Sequence, residues 1–136
     1  MQETGYETFS FYYDALTENV DYPARAAYLD GLVQKYLRSG GKVMLDLACG
    51  TGTLTEEMAK RGYDMIGVDY SEGMLGQAME KKIEQQLPIQ YVCQDMRELE
   101  LYSTVDATIC TVSRMWRLCS GRSWNSQSRA VFFFSI

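Results

Sequence analysis

Apolar positions along this chain change period several times between residues 23 and 112, and each change marks a predicted element. From Pro23 to Arg38 they recur at helical spacing, with Leu29, Leu32, Val33, Tyr36 and Leu37 on one face. Pro23 suits a first helical turn, and Ser39-Gly40-Gly41 ends the helix. Lys42 to Ala48 (KVMLDLA) is a near-continuous apolar run without alternation, which predicts a strand buried on both faces. The turn Cys49-Gly50-Thr51-Gly52 follows. A helix is then expected from about Thr53 to Arg61, with Thr53 and Glu56 as a capping box and Gly62 at C′. Met65 to Asp69 predicts a second strand. Ser71 can cap a further helix whose apolar face is Leu75, Ala78, Met79 and Ile83, closed by Pro88. Ile89 to Cys93 and Val105 to Val112 predict the third and fourth strands.

Strand, helix, strand, helix, strand predicts an α/β fold: an open, doubly wound, mostly parallel sheet with right-handed crossovers and helices on both faces. Aromatic residues crowd positions 6–22, which reads as a short helix or arm. The division expected is an N-terminal arm and helix over 1–40, a core over 41–112 and an atypical tail over 113–136.

Composition narrows the function classes. The 136 residues suffice for one domain, and no apolar run approaches the ~18 residues that span a bilayer. The N-terminus lacks the basic start and apolar stretch of a signal peptide, so a cytoplasmic chain without a membrane partner is expected. The four cysteines form no CxxC pair and the chain has no histidine, so no metal site is expected. The missing histidine also removes Ser-His and Cys-His nucleophile pairs. The net charge of −5 divides unevenly: residues 1–110 carry −9, whereas residues 111–136 hold four arginines and no acid. The acidic front part argues against a nucleic-acid partner, which would want a basic face.

Ligands of doubly wound sheets bind beyond the carboxyl ends of the strands, so the residues there carry the chemistry. Strand one runs into Asp46-Leu47-Ala48-Cys49-Gly50-Thr51-Gly52. Its glycines permit a tight turn, and the helix behind offers free N–H groups to an anionic group. Asp46, a carboxylate in an apolar strand, either serves a ligand or ties down the turn's backbone amides. Asp69, ending strand two, either accepts ribose hydroxyls or caps the next helix. Strand three ends in Cys93-Gln94-Asp95-Met96. Asp95 could accept the exocyclic amine of an adenine, with the Met96 N–H on a ring nitrogen; alone, Asp95 reads better as an exposed loop acid, and the set of three strand-end acids is far more specific than any one of them.

These stretches, with Gly67-Val68-Asp69-Tyr70-Ser71-Glu72-Gly73-Met74-Leu75 and Cys93-Gln94-Asp95-Met96-Arg97, resemble the class I S-adenosylmethionine-dependent methyltransferases, in particular the small-molecule branch. Tyr6, Tyr12-Tyr13-Asp14 and Asp21-Tyr22 are similar to that branch's N-terminal arm. The resemblance spans roughly residues 6–110 and implies a Rossmann-like fold with S-adenosylmethionine as cofactor. It implies that Ala48, Gly50 and Gly52 wrap the methionine end and that Asp46 orients the loop and the cofactor's amine. It further implies that Asp69 holds the ribose, that Tyr70 and Met74 pack on the adenine and that Asp95 and Met96 bind its edge. Cys110 would lie under the methionine moiety and Tyr13 would cover the cofactor. Transfer is then an in-line displacement to a small-molecule acceptor, in which alignment and desolvation do most of the work. No catalytic base can be named.

The chain departs from that family after strand four. The family fold has seven strands, and only 26 residues follow Cys110 here, rich in Ser, Arg and Trp. A frame shift near Thr111, a short variant whose Phe132–Phe134 forms a substitute edge strand, and a split protein all account for this, the first being preferred. C-terminal strands would then be missing, strand four would be an exposed edge open to self-association, and the chain alone would show weak or no turnover. The alternative functions are an NAD-binding oxidoreductase domain, since Gly50-x-Gly52 and Asp69 also suit a dinucleotide, and a non-catalytic nucleotide-binding fragment. Against the former, the third glycine of GxGxxG would fall on Thr55.

Overall fold

The computed structural model describes residues 21–37, 40–95, 105–110 and 128–133, the last segment by its backbone. The expected N-terminal arm, with Tyr13, and the position of Met96 lie outside these residues.

Helix α1 (Tyr22–Tyr36) starts where the sequence places it. Asp21 is its N-cap, accepting from the Ala24 N–H at 3.0 Å, and Pro23 sits in the first turn. Ala26, Leu29, Val33 and Leu37 are buried, whereas Tyr36 is exposed. Strand β1 (Val43–Leu47) leads into the glycine turn and helix α2 (Thr53–Lys60). Strand β2 (Asp64–Asp69), helix α3 (Glu72–Gln85), strand β3 (Gln90–Cys93) and strand β4 (Val105–Cys110) follow, and Ser128–Phe133 forms β5. Every strand pair is parallel, in the order β3-β2-β1-β4-β5. The doubly wound α/β architecture is therefore present.

Two local expectations are corrected. The capping box on Thr53 and Glu56 does not form, because Gly52 is the N-cap, in left-handed backbone at φ 80, with no side-chain cap. Thr53 is thereby carried one position into the helix, and its hydroxyl accepts from Lys81 Nζ of α3 at 3.1 Å. Glu56 accepts from Gln85 Nε2, also of α3, at 3.1 Å. The second correction concerns the apolar face of α3. Leu75 and Ala78 are buried, but Met79 and Ile83 are 48% and 70% exposed. The buried stripe lies instead along Met74, Leu75 and Ala78, and Ser71 caps this helix as expected, accepting from the Met74 N–H at 3.3 Å.

Strand four is not an edge. β5 pairs with it in parallel register from Val105↔Ser128 to Cys110↔Phe133. The run Ala130-Val131-Phe132-Phe133 has the apolar, β-prone character that such a strand needs, and pairing satisfies the backbone groups that β4 would otherwise present. Among the described strands β4 is thus paired on both sides, with β1 and β5. The edges among the described strands are β3 and β5.

The sheet carries a core on each face. On one, Met44, Met65, Ile89, Ala107 and Ile109 pack with α1 and α2 through Ala26, Leu29, Val33, Leu54 and Met58. On the other, Leu45, Leu47, Val68 and Cys110 form a second buried cluster. Among the described residues, no helix side chain joins that second cluster.

Candidate cofactor site

The carboxyl ends of β1 and β2 build one site. After Leu47 the chain turns through Ala48 (φ 54), Gly50 (φ 61) and Gly52 (φ 80), three left-handed residues in alternation. β2 holds this turn in place. The Cys49 N–H donates to the Val68 carbonyl at 3.0 Å, and the Gly52 N–H donates back to the Cys49 carbonyl at 3.1 Å. The Gly50 N–H donates to Asp69 Oδ2 at 2.9 Å. The other oxygen of Asp69 accepts from the Ser71 N–H at 2.8 Å. Asp69 is thus a clasp between the glycine turn and the start of α3, while the helix cap itself is Ser71.

Asp46 does something different from tying down turn amides. It is 1% exposed, and its Oδ2 accepts from the Thr55 hydroxyl on α2 at 2.7 Å. Its Oδ1 is buried with no hydrogen-bond partner. Burial pushes the Asp46 carboxyl up to about 7; the Thr55 hydrogen bond opposes this and the nearby Asp69 charge adds to it. An acid in this state is a ready acceptor for a cation or a hydrogen-bond donor entering the loop. Beside it, burial and the charges of Asp46 and Asp69 hold the Cys49 thiol far above its ordinary range, which makes it an inert wall.

The remaining candidates spread around this centre. Tyr70 follows Asp69 directly and is 77% exposed, with an open ring face at the sheet end. Met74 is buried on α3. Asp95 lies just past the end of β3 and is half-buried, and the neighbouring Gln94 N–H donates to the Asp69 carbonyl at 3.1 Å. Cys110 ends β4, buried, in register with Leu47. The structure therefore brings Asp46, Ala48, Gly50, Gly52, Asp69, Tyr70, Asp95 and Cys110 to one end of the sheet.

Sequence reasoning missed Tyr91. It stands in register with Gly67, which is itself in register with Asp46. Its hydroxyl reaches the glycine turn, 2.2 Å from where a Cβ on Gly52 would stand. A glycine inside an apolar strand, flanked laterally by a large aromatic and an acid, is the signal that could have pointed to it. Among the described residues no helix is long and apolar enough to cross a membrane.

Comparison with known proteins agrees with this geometry. The family model described as "Methyltransferase domain" matches residues 44–125. A protein named as a methyltransferase from Geobacillus sp. (strain WCH70) is 41% identical over 101 residues, covering 74% of this chain and 41% of that protein. The ubiquinone biosynthesis O-methyltransferase of Coxiella burnetii (strain Dugway 5J108-111) is 39% identical over 77 residues, covering 57% of this chain and 31% of its own length. The crystal structure of an S-adenosylmethionine-dependent methyltransferase from Clostridium acetobutylicum superposes with a TM-score of 0.68 at 30% identity, covering 82% of this chain and 46% of that one. The chain spans less than half the length of these relatives. With the glycine turn, the strand-end acids and the sheet order all in place, the chain belongs to the methyltransferase-domain family.

Proposed function

We propose that this chain binds S-adenosylmethionine at the β1–β2 end of its sheet and forms the cofactor-holding part of a methyltransferase for a small-molecule acceptor. One observation carries the reading: a left-handed glycine turn clasped by Asp69 lies over a buried acid, Asp46, whose Oδ1 has no partner. A burial of this kind is costly unless a donor completes it, and the cofactor's ammonium is such a donor. The N–H groups opening α2 suit the carboxylate of the same methionine end. Asp69 and Asp95 suit hydroxyl and amine donors of a nucleoside, and the exposed ring of Tyr70 suits its base. When bound, S-adenosylmethionine supplies an electrophilic methyl group on its sulfonium. The chain's residues fix the direction of that methyl and exclude water from it.

A small-molecule acceptor is supported by the charge of −9 over residues 1–110, which repels nucleic acid, and by the ubiquinone-biosynthesis relative. Cytoplasmic residence fits the same reading. Binding rather than turnover is the decisive test, because the chain covers 41% of the Geobacillus relative. Isothermal titration with S-adenosylmethionine, S-adenosylhomocysteine and NAD separates the readings. Heat from the first two alone supports the proposal. Binding of NAD alone, or of none of the three, overturns it.

A further inference from the structure

We infer that Tyr91 is a positioning residue of the cofactor site, its phenol reaching across Gly67 to support the buried Thr55–Asp46 pair beneath the glycine turn. The inference rests on the cofactor reading for its purpose, but its geometry stands independently. Tyr91, Gly67 and Asp46 form one lateral row across β3, β2 and β1. In-register residues of parallel strands point to the same face, and the outer two strands of such a row lie about 9–10 Å apart. A side chain on the middle strand would block the path. Gly67 leaves it open, and the Tyr91 ring lies there, its Cε1 2.6 Å from the site of a Gly67 Cβ. The hydroxyl then ends against Gly52, the N-cap of α2. Two glycines thus make room for one tyrosine.

The hydroxyl is the informative part. It is buried with no hydrogen-bond partner of good geometry, as is Asp46 Oδ1. A phenylalanine would fill the same space without that penalty, so simple packing does not account for the oxygen. It sits against the N-cap of the helix that carries Thr55. Burial first, with the Glu56 and Asp46 carboxylates nearby, keeps the phenol protonated, while the Thr55 hydroxyl acts in the opposite direction. The groups facing the pair are therefore Cys49 in the turn, Glu56 on α2, Asp69 at the end of β2 and, from α3, Lys81, which stands 3.8 Å from Glu56. An O–H donated from this phenol into the Thr55–Asp46 pair favours the charged form of Asp46, the form that a cationic ligand group needs.

Carboxyl-carbon NMR of Asp46 in the unliganded chain, wild type against Tyr91→Phe, tests this directly. The expected result is an Asp46 midpoint about 0.5–1 pH unit higher in the variant, with S-adenosylhomocysteine bound about 3–10-fold more weakly at neutral pH. Superimposable Asp46 titrations overturn the inference. Should the variant fail to fold, the Cζ resonance of Tyr91 in the wild-type chain serves alone. It must follow the Asp46 titration and lose that step in Asp46→Asn; a resonance flat through the titration overturns the inference. Because both titrations use the unliganded chain, a failure of cofactor binding sinks the proposed function without deciding the role of Tyr91.

Discussion

The ring of Tyr91 occupies the space that any side chain at Gly67 would need, with Cε1 and Cδ1 2.6 and 2.7 Å from the ideal Cβ position and Cys49 Sγ at 3.1 Å beyond. Gly67 has no left-handed backbone to explain it, so crowding by the ring, with Cys49 Sγ behind it, dictates glycine here. Gly67→Ala is expected to destabilise the chain by about 1–3 kcal/mol, the usual cost of overpacking a core. Combining it with Tyr91→Val removes the nearer obstacle and leaves only Cys49 Sγ, so the double variant should be less destabilised than the sum of the singles by about 1 kcal/mol or more. Urea unfolding of the four proteins in the cycle checks this. Additive losses would show that the two residues do not compete for one space.

Asp46 gives stability a distinctive pH dependence. Its carboxyl sits at about 7 in the fold against an ordinary 3.8, so the folded chain holds a proton that the unfolded chain has released between those values. Stability is then favoured at the acid end and falls as pH rises from about 4 to about 7, opposite to a salt-bridged aspartate. Asp46→Asn keeps an acceptor for Thr55 but carries no charge to bury. It should flatten this slope and raise stability at pH 7.5 by about 1–2 kcal/mol, while weakening S-adenosylhomocysteine binding at least tenfold. Thermal melts from pH 4 to 8 read the first effect and calorimetry the second. A variant with the wild-type slope would remove Asp46 as its source.

Much of this site was legible because strand ends and glycine turns write themselves locally. The run KVMLDLACGTG announces a buried strand, a turn and a helix start within eleven residues. The partners of the acids were less legible, because they depend on lateral register. Asp46 finds Thr55 one helix turn past the loop, and Asp69 finds the Gly50 amide, a pairing that only the packing of β1 against β2 creates. Helical period misplaced Met79 and Ile83, since α3 rotates to bury the smaller Ala78 close to Gly52. The β5 pairing is hard to read from sequence, because residues 111–127 before it show no recognisable helix or strand period.

The strained turn offers a gain in stability. Ala48 holds φ 54, a region where a Cβ crowds the backbone and which glycine enters freely. Ala48→Gly should therefore stabilise the chain by about 0.5–1 kcal/mol despite the extra freedom that glycine gives the unfolded state. Chemical denaturation would detect this. A loss of stability would mean that the alanine methyl contributes packing that outweighs its strain.

Asp69 is the residue on which turn and helix both depend. Its two oxygens accept from the Gly50 N–H at 2.9 Å and the Ser71 N–H at 2.8 Å, and it is buried. A carboxylate has about four acceptor sites, so two remain for hydroxyl donors after the backbone is served. Asparagine has one carbonyl and one amide nitrogen, so Asp69→Asn must turn a donor toward one of the two N–H groups. The expected loss is about 1–3 kcal/mol of stability. On the proposed cofactor reading, ligand affinity should fall further than stability predicts, because the glycine turn loses its clasp and the ribose its proposed acceptor together. The comparison that isolates the second effect is affinity for S-adenosylhomocysteine against affinity for methionine alone, measured on the same variant. If Asp69→Asn weakens both equally, Asp69 acts only through the turn; a selective loss of the nucleoside ligand identifies it as the ribose acceptor.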